Sequence, residues 1–228
     1  NTSGMPDSNE VRSIMDYAYS QNVTFLDTAE AYGNSHEVIG NYHGKSKNRF
    51  KVTTKYCSSR IALPQNISER IHYHLEILNV NGLYCYMFHT YDDYKNYFDL
   101  FRLELIELRN KGIIQKIGVS LHDNQDIYNV LRNKDIDLIQ FPYNLFDNKL
   151  KREKVFLKAK ESGVEIHTRS TFLQGLFFKE LDSLEGNLLE MRKYLRELKQ
   201  IVDKSDIGSL ALSYVASNEN VDGILLGV

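Results

Sequence analysis

Short apolar runs alternate with longer stretches of helical period along almost the whole chain, and this alternation constrains the fold more than any other feature. Asp7 can cap a first helix, with Glu10 three residues on and Val11, Ile14, Met15 and Ala18 along one face. Residues 23–27 then read as a strand, 35–41 as a short helix, 50–55 as a strand and Ile67–Leu78 as a helix. Leu83–Phe88 is a strongly apolar strand, and residues 98–110 form a helix closed by Lys111-Gly112. The pattern repeats: strand 116–120, helix 124–132, strand 137–141, helix Lys149–Glu161 and strand 164–168. A loop carrying Gln174-Gly175 leads to a long amphipathic helix over 188–202. Ser205 or Asp206 can cap a last helix reaching about Ser217, and residues 223–227 form a final strand.

Strands separated by helices call for a parallel sheet with helical crossovers. A doubly wound sheet that binds a dinucleotide usually carries Gly-x-Gly-x-x-Gly after its first strand, and no such run occurs. A (β/α)8 barrel needs eight strands and about 250 residues. The seven strands read here fit a barrel that lacks its first strand and its C-terminal helix, whereas an open seven-stranded sheet would expose two edges. With no Pro/Ser-rich linker to divide it, the chain reads as one barrel domain over 1–228, incomplete at both ends.

Charge and composition narrow the partners. Lys and Arg total 28 against 30 Asp and Glu, a formal net charge of -2, which gives no global attraction to nucleic acid or an anionic membrane. No apolar run approaches the roughly 20 residues that span a bilayer, and the N-terminus is not a secretory signal. Two cysteines in separate strand-like contexts suit a reducing cytoplasm.

Barrel enzymes place their chemistry where strands end. Asp27, Lys55, His89, Ser120, Gln140 and Arg169-Ser170 fall at or near successive strand ends, and Tyr32 lies in the first loop. Each has a structural reading when taken alone: Asp27 as a turn cap, Tyr32 as one of 15 tyrosines, Lys55 as an exposed lysine, and His89 as a core histidine. Taken together, Asp, Tyr, Lys and His suit carbonyl reduction. A free tyrosine has a pKa near 10, and a neighbouring Lys⁺ favours its phenolate. An Asp holds the ammonium, and a His orients the substrate oxygen.

Six segments, in order, resemble the aldo-keto reductase superfamily. They are Asp27-Thr-Ala-Glu-Ala-Tyr-Gly33, Val52-Thr-Thr-Lys55, Met87-Phe-His89, Gly112-Ile-Ile-Gln-Lys-Ile-Gly-Val-Ser120, Ile139-Gln-Phe-Pro-Tyr-Asn144 and Arg169-Ser-Thr-Phe-Leu-Gln-Gly175. The resemblance implies a (β/α)8 barrel and NADP(H)-dependent reduction of a small-molecule carbonyl, with no metal. It implies Tyr32 as proton donor, Asp27 and Lys55 as its tuning pair, and His89 as the group that orients the substrate. It also implies Ser120 and Gln140 on the nicotinamide carboxamide, Arg169 against the ring, Ser170, Phe172 and Gly175 at the pyrophosphate, and Gly227 near the phosphates. Three positions depart from the family pattern: His36 replaces a usual Glu, Leu121 a frequent Asn, and Thr171 a Pro. The family's glycine-rich first strand is expected before Asn1, and its adenine and 2′-phosphate segment after Val228.

Two other functions are compatible with such a barrel. One is a non-catalytic nucleotide-sensing or regulatory module. The other is a metal hydrolase, which the sequence disfavours because His72 and His74 lie on a helix and no His-x-His follows a strand.

Overall fold

The computed structural model describes residues 7–203 and 206–227. Along the chain run α1 (Ser8–Ser20), β1 (Phe25–Asp27), α2 (Ser35–Lys45), β2 (Lys51–Tyr56), α3 (Ile67–Leu78), β3 (Leu83–Phe88), α4 (Tyr91–Asn110) and β4 (Ile114–Ser120). There follow α5 (Asn124–Val130), β5 (Leu138–Pro142), α6 (Lys149–Glu161), β6 (Glu165–Arg169), α7 (Arg192–Ile201), α8 (Ile207–Ala216) and β7 (Gly223–Ile224). Strand neighbours follow chain order. The described residues group into two compact units: those up to Leu121 with Asn133–Leu138, and His122–Arg132 with the residues from Ile139 onward.

In the first unit β1, β2, β3 and β4 pair in parallel, with Asp27 opposite Thr53, Lys55 opposite Met87, and Phe88 opposite Val119. Leu83, Cys85, Tyr86, Met87 and Phe88 are all buried, as a strand covered on both faces requires. The capping box expected at Asp7 forms: its carboxylate accepts from Asn9 N and Glu10 N, and Glu10 answers the Asp7 N–H. Helix α4 starts at Tyr91, seven residues before the expected start at 98. Thr90 caps it by accepting from Asp93 N at 3.0 Å, and its first turns bury aromatic rings instead of an aliphatic stripe: Tyr94 lies 5.9 Å from Phe88 and 5.2 Å from Phe98. Gly40 sits where α2 meets α3, so close that a Cβ would lie 1.7 Å from the carbonyl oxygen of Ile77.

In the second unit β6 pairs in parallel with β7, His167 opposite Gly223 and Thr168 opposite Ile224. The last strand is Gly223–Ile224, shorter than the expected 223–227, although Leu225 N still donates to Thr168 O at 2.8 Å. The long helix expected over 188–202 is broken. A 3₁₀ turn spans Gly186–Met191, and the α-helix begins at Arg192. The apolar register survives the break: Leu195 is fully buried in a cluster with Leu176, Phe177, Leu184, Ile207 and Ala211, and Met191, Leu198 and Val202 pack on it. Of the two residues proposed to cap α8, Asp206 is its N-cap, without a side-chain cap bond, and Ser205 lies outside the described residues. Among the described residues, no helix is long and apolar enough to cross a membrane.

Candidate active site

Parallel register brings three polar strand ends into step. Asp27 pairs with Thr53, and the two-residue repeat of a strand puts Lys55 on the same face as Thr53. Tyr56 pairs with Phe88, and His89 N donates to Tyr56 O at 3.0 Å, so His89 follows directly beyond Lys55 on the neighbouring strand. Lys55 is wholly buried. Its ammonium donates to Asp27 Oδ2 and, at 2.9 Å, to the Thr28 carbonyl. Removing a lysine from water is costly unless a counter-charge and hydrogen bonds accompany it, and both are supplied by two adjacent residues, Asp27 and Thr28.

Tyr32 stands over this ion pair. Lys55 Nζ lies 5.0 Å from the Tyr32 ring centre. The His89 imidazole meets the same ring edge-on, with centroids 5.6 Å apart and planes at 85°. The phenol itself is 46% exposed, the arrangement of a group that meets a ligand from solvent. Two turns present it: Tyr32 N donates to Ala29 O at 2.9 Å, and Ser35 N donates to Tyr32 O at 3.1 Å. Gly33 has φ +57°, the left-handed region where a side chain would be strained, which explains a glycine beside the tyrosine. The four tetrad residues read from the sequence thus share one site within the first unit.

Beneath the same loop lies a charged cluster that the sequence reading missed. Glu30 is buried. Its Oε1 accepts from Arg70 Nε at 2.9 Å and Tyr86 Oη at 3.1 Å, and lies 2.7 Å from His74 Nε2. Its Oε2 accepts from Arg70 Nη2 at 2.5 Å and from the Cys57 N–H at 2.7 Å. Burial alone would raise the Glu30 pKa, but hydrogen bonds and charge from His74 and Arg70 outweigh it and hold the carboxyl below its ordinary value. The available signal was the pair Arg70 and His74, four residues apart and inside the buried stripe Ile67, Ile71, Leu75 and Leu78 of α3. A buried arginine beside a histidine on the apolar side of a helix calls for a buried acid.

His36, the departure from the family's Glu, stacks on His74 at 4.8 Å and bonds Thr54 Oγ1 through Nε2 at 2.7 Å. Burial, then the nearby positive charge of His74 and Lys55, pushes its pKa down to about 4, against a smaller opposing pull from Glu30. His36 is therefore a neutral core residue at ordinary pH.

The remaining site candidates belong to two sets. Ser120 ends β4 in the first unit and is buried, as is Leu121 beside it. In the second unit Gln140 is buried within β5, and Arg169 ends β6 half-buried. The loop that follows is contorted: Ser170, Leu173, Gln174 and Gly175 have φ of 63°, 46°, 53° and 82°. Asn144 holds it, donating through Nδ2 to Ser170 O at 3.2 Å while its Oδ1 accepts from Phe146 N and Asp147 N. Phe172 is half-buried and packs on Phe178 at 5.7 Å. Gly227 is exposed beyond β7. Thr171, the residue that replaces the family's proline, is buried with its hydroxyl unpartnered.

The description of the aldo/keto reductase family matches residues 1–228. The chain belongs to that family. Among curated proteins this reductase-family chain is 26% identical over 195 residues to aldo-keto reductase str7 of Strobilurus tenacellus, covering 81% of the chain and 58% of that relative. The holo form of an aldo-keto reductase from Bacillus halodurans superposes with a TM-score of 0.78 at 23% identity, over 96% of this chain and 76% of that one. A glycerol dehydrogenase from Gluconobacter oxydans superposes with a TM-score of 0.75 at 21% identity, over 97% and 77%. At such identities the structural likeness establishes the fold alone. It is the (β/α)8 barrel fold of the family, with seven parallel strands among the described residues.

Proposed function

We propose that residues 1–228 form one barrel domain of an NADP(H)-dependent oxidoreductase. It reduces an aldehyde, ketone or sugar-derived carbonyl, with Tyr32 as proton donor. The observation that carries this reading is the buried Lys55 ammonium, held by Asp27 and the Thr28 carbonyl under the face of a half-exposed tyrosine. A structural lysine has no need of that placement, whereas a phenol that must release a proton does.

The residues present suit a nicotinamide dinucleotide. The hydroxyl of Ser120 and the amide of Gln140 are the donor and acceptor types that a carboxamide requires. Arg169, Ser170 and the unpartnered Thr171 hydroxyl supply cationic and hydroxyl donors for phosphate oxygens, with Phe172, Gly175 and Gly227 as the accompanying contacts. When bound, the reduced nicotinamide supplies the hydride. Tyr32 Oη gives its proton to the carbonyl oxygen as negative charge develops there. The Lys55 ammonium stabilises the phenolate left behind, Asp27 and Thr28 fix the ammonium, and His89 donates a hydrogen bond that orients the carbonyl. The carbonyl compound becomes an alcohol, and the working compartment is the cytoplasm.

The test pairs NADPH and NADH fluorescence titration with turnover of a general aldehyde. Tyr32→Phe is expected to lower turnover by about 10³-fold or more while cofactor affinity stays within twofold, as loss of an acid–base group demands. Equal turnover by parent and variant would falsify the assignment of Tyr32.

A further inference from the structure

Glu30 lies between the two halves of the proton-transfer pair in sequence, three residues after Asp27 and two before Tyr32. Its main chain and its side chain both attach to the end of β2. The Glu30 N–H donates to the Lys55 carbonyl at 3.2 Å, and Oε2 accepts from the N–H of Cys57 at 2.7 Å. Lys55 is thus bracketed by two bonds to one residue of the tyrosine loop. Arg70 closes the arrangement by donating from Nη2 both to Glu30 Oε2 and, at 2.9 Å, to the Cys57 carbonyl, and its guanidinium stacks 4.5 Å over the Tyr56 ring. His74 and Tyr86 occupy Oε1. Both carboxylate oxygens of Glu30 are engaged, and none of their partners is a group the proposed reaction uses.

We propose that Glu30, clamped by Arg70 and His74, is a positioning residue that fixes the Tyr32 loop to the Lys55 strand and so sets the geometry of proton transfer. The inference rests on the reductase reading above. A core whose only task is stability does not need a carboxylate here, because a buried ion pair contributes little net stability compared with apolar residues of similar volume. What the pair does provide is direction: five bonds from one side chain, aimed at helix α3, strand β3 and the end of β2.

The test uses the full chain with Glu30→Gln, and with Glu30→Gln combined with Arg70→Met. The double variant removes the guanidinium together with the carboxylate, so no buried arginine is left unpaired and the experiment stays informative if the single variant fails to fold. Both are read by kcat and KM for a general aldehyde, by NADPH affinity, and by amide hydrogen exchange of the segment around Tyr32 without cofactor. The expected result is a fall in kcat of about 10–10²-fold with KM and NADPH affinity within twofold. Exchange around Tyr32 should rise by about tenfold or more while β3 stays protected. In a Tyr32→Phe background the kcat effect of Glu30→Gln should vanish, because it acts through the phenol. Unchanged kcat, or an equal loss that persists without the phenol, overturns the proposal. A parent chain with no turnover counts against the reductase reading, and exchange then decides alone: protection around Tyr32 that is unaltered in the double variant overturns the positioning role, and its loss supports it.

Discussion

Lys55 shows how much depends on one side chain. It is fully buried, its ammonium is spent on Asp27 and a backbone carbonyl, and the Tyr32 ring covers it. Lys55→Met keeps the length and apolar stem and removes the charge. The expected outcome is a fall in kcat of about 10²-fold or more, with the residual rate showing a steeper dependence on acid, measured as a pH–rate profile on a general aldehyde. Asp27→Asn should be milder, because Thr28 still holds the ammonium. That Asp27, Tyr32, Lys55 and His89 come together was legible in the sequence because three of them fall at strand ends and the fourth in the first loop. Glu30 was not, since an acid within a loop looks solvated until its partners on α3 and β3 are brought to it by folding.

Elements read well where local chemistry decides them. The bounds of Ile67–Leu78, Leu83–Phe88 and Lys149–Glu161 agree with the sequence reading: the first has a clear helical period, the second is a continuous apolar run, and the third is closed by Ser162-Gly163. The failures have tertiary causes. The first turns of α4 are aromatic and charged, and they become helical because Thr90 caps them and β3 accepts the rings. Residues 188–191 carry the right apolar period yet wind as a 3₁₀ turn, while the α-helix begins only at Arg192. The crossing of α2 and α3 gives a direct test of such packing. Gly40→Ala would set a methyl group against the Ile77 carbonyl, and backbone cannot move aside as a side chain can. The variant should lose about 1–3 kcal/mol of stability, read as a lower urea midpoint at unchanged slope.

At the scale of the whole molecule, stability should follow acidity through two buried groups of the first unit. His36 titrates near 6.5 when unfolded and at about 4 when folded. Its penalty is absent above the unfolded value and grows as pH falls from 6.5 to 4, because only the unfolded chain takes up the proton there. The full shift corresponds to roughly 3 kcal/mol. Glu30 works in the same direction lower down: its folded pKa is depressed, so its contribution is present above its unfolded value and lost as pH falls through the folded one. Thermal or urea unfolding from pH 8 to pH 4 should therefore show falling stability below about pH 6.5, and His36→Gln, which keeps a donor for Thr54, should flatten the part between 6.5 and 4. A curve identical to the parent's would mean that His36 is not held neutral. Asp27, Tyr32, Lys55 and His89 all belong to the first compact unit. Their mutual geometry therefore rests on contacts made inside that unit, and substitutions confined to residues after Ile139 should leave the Lys55–Asp27 and Tyr32–His89 contacts in place.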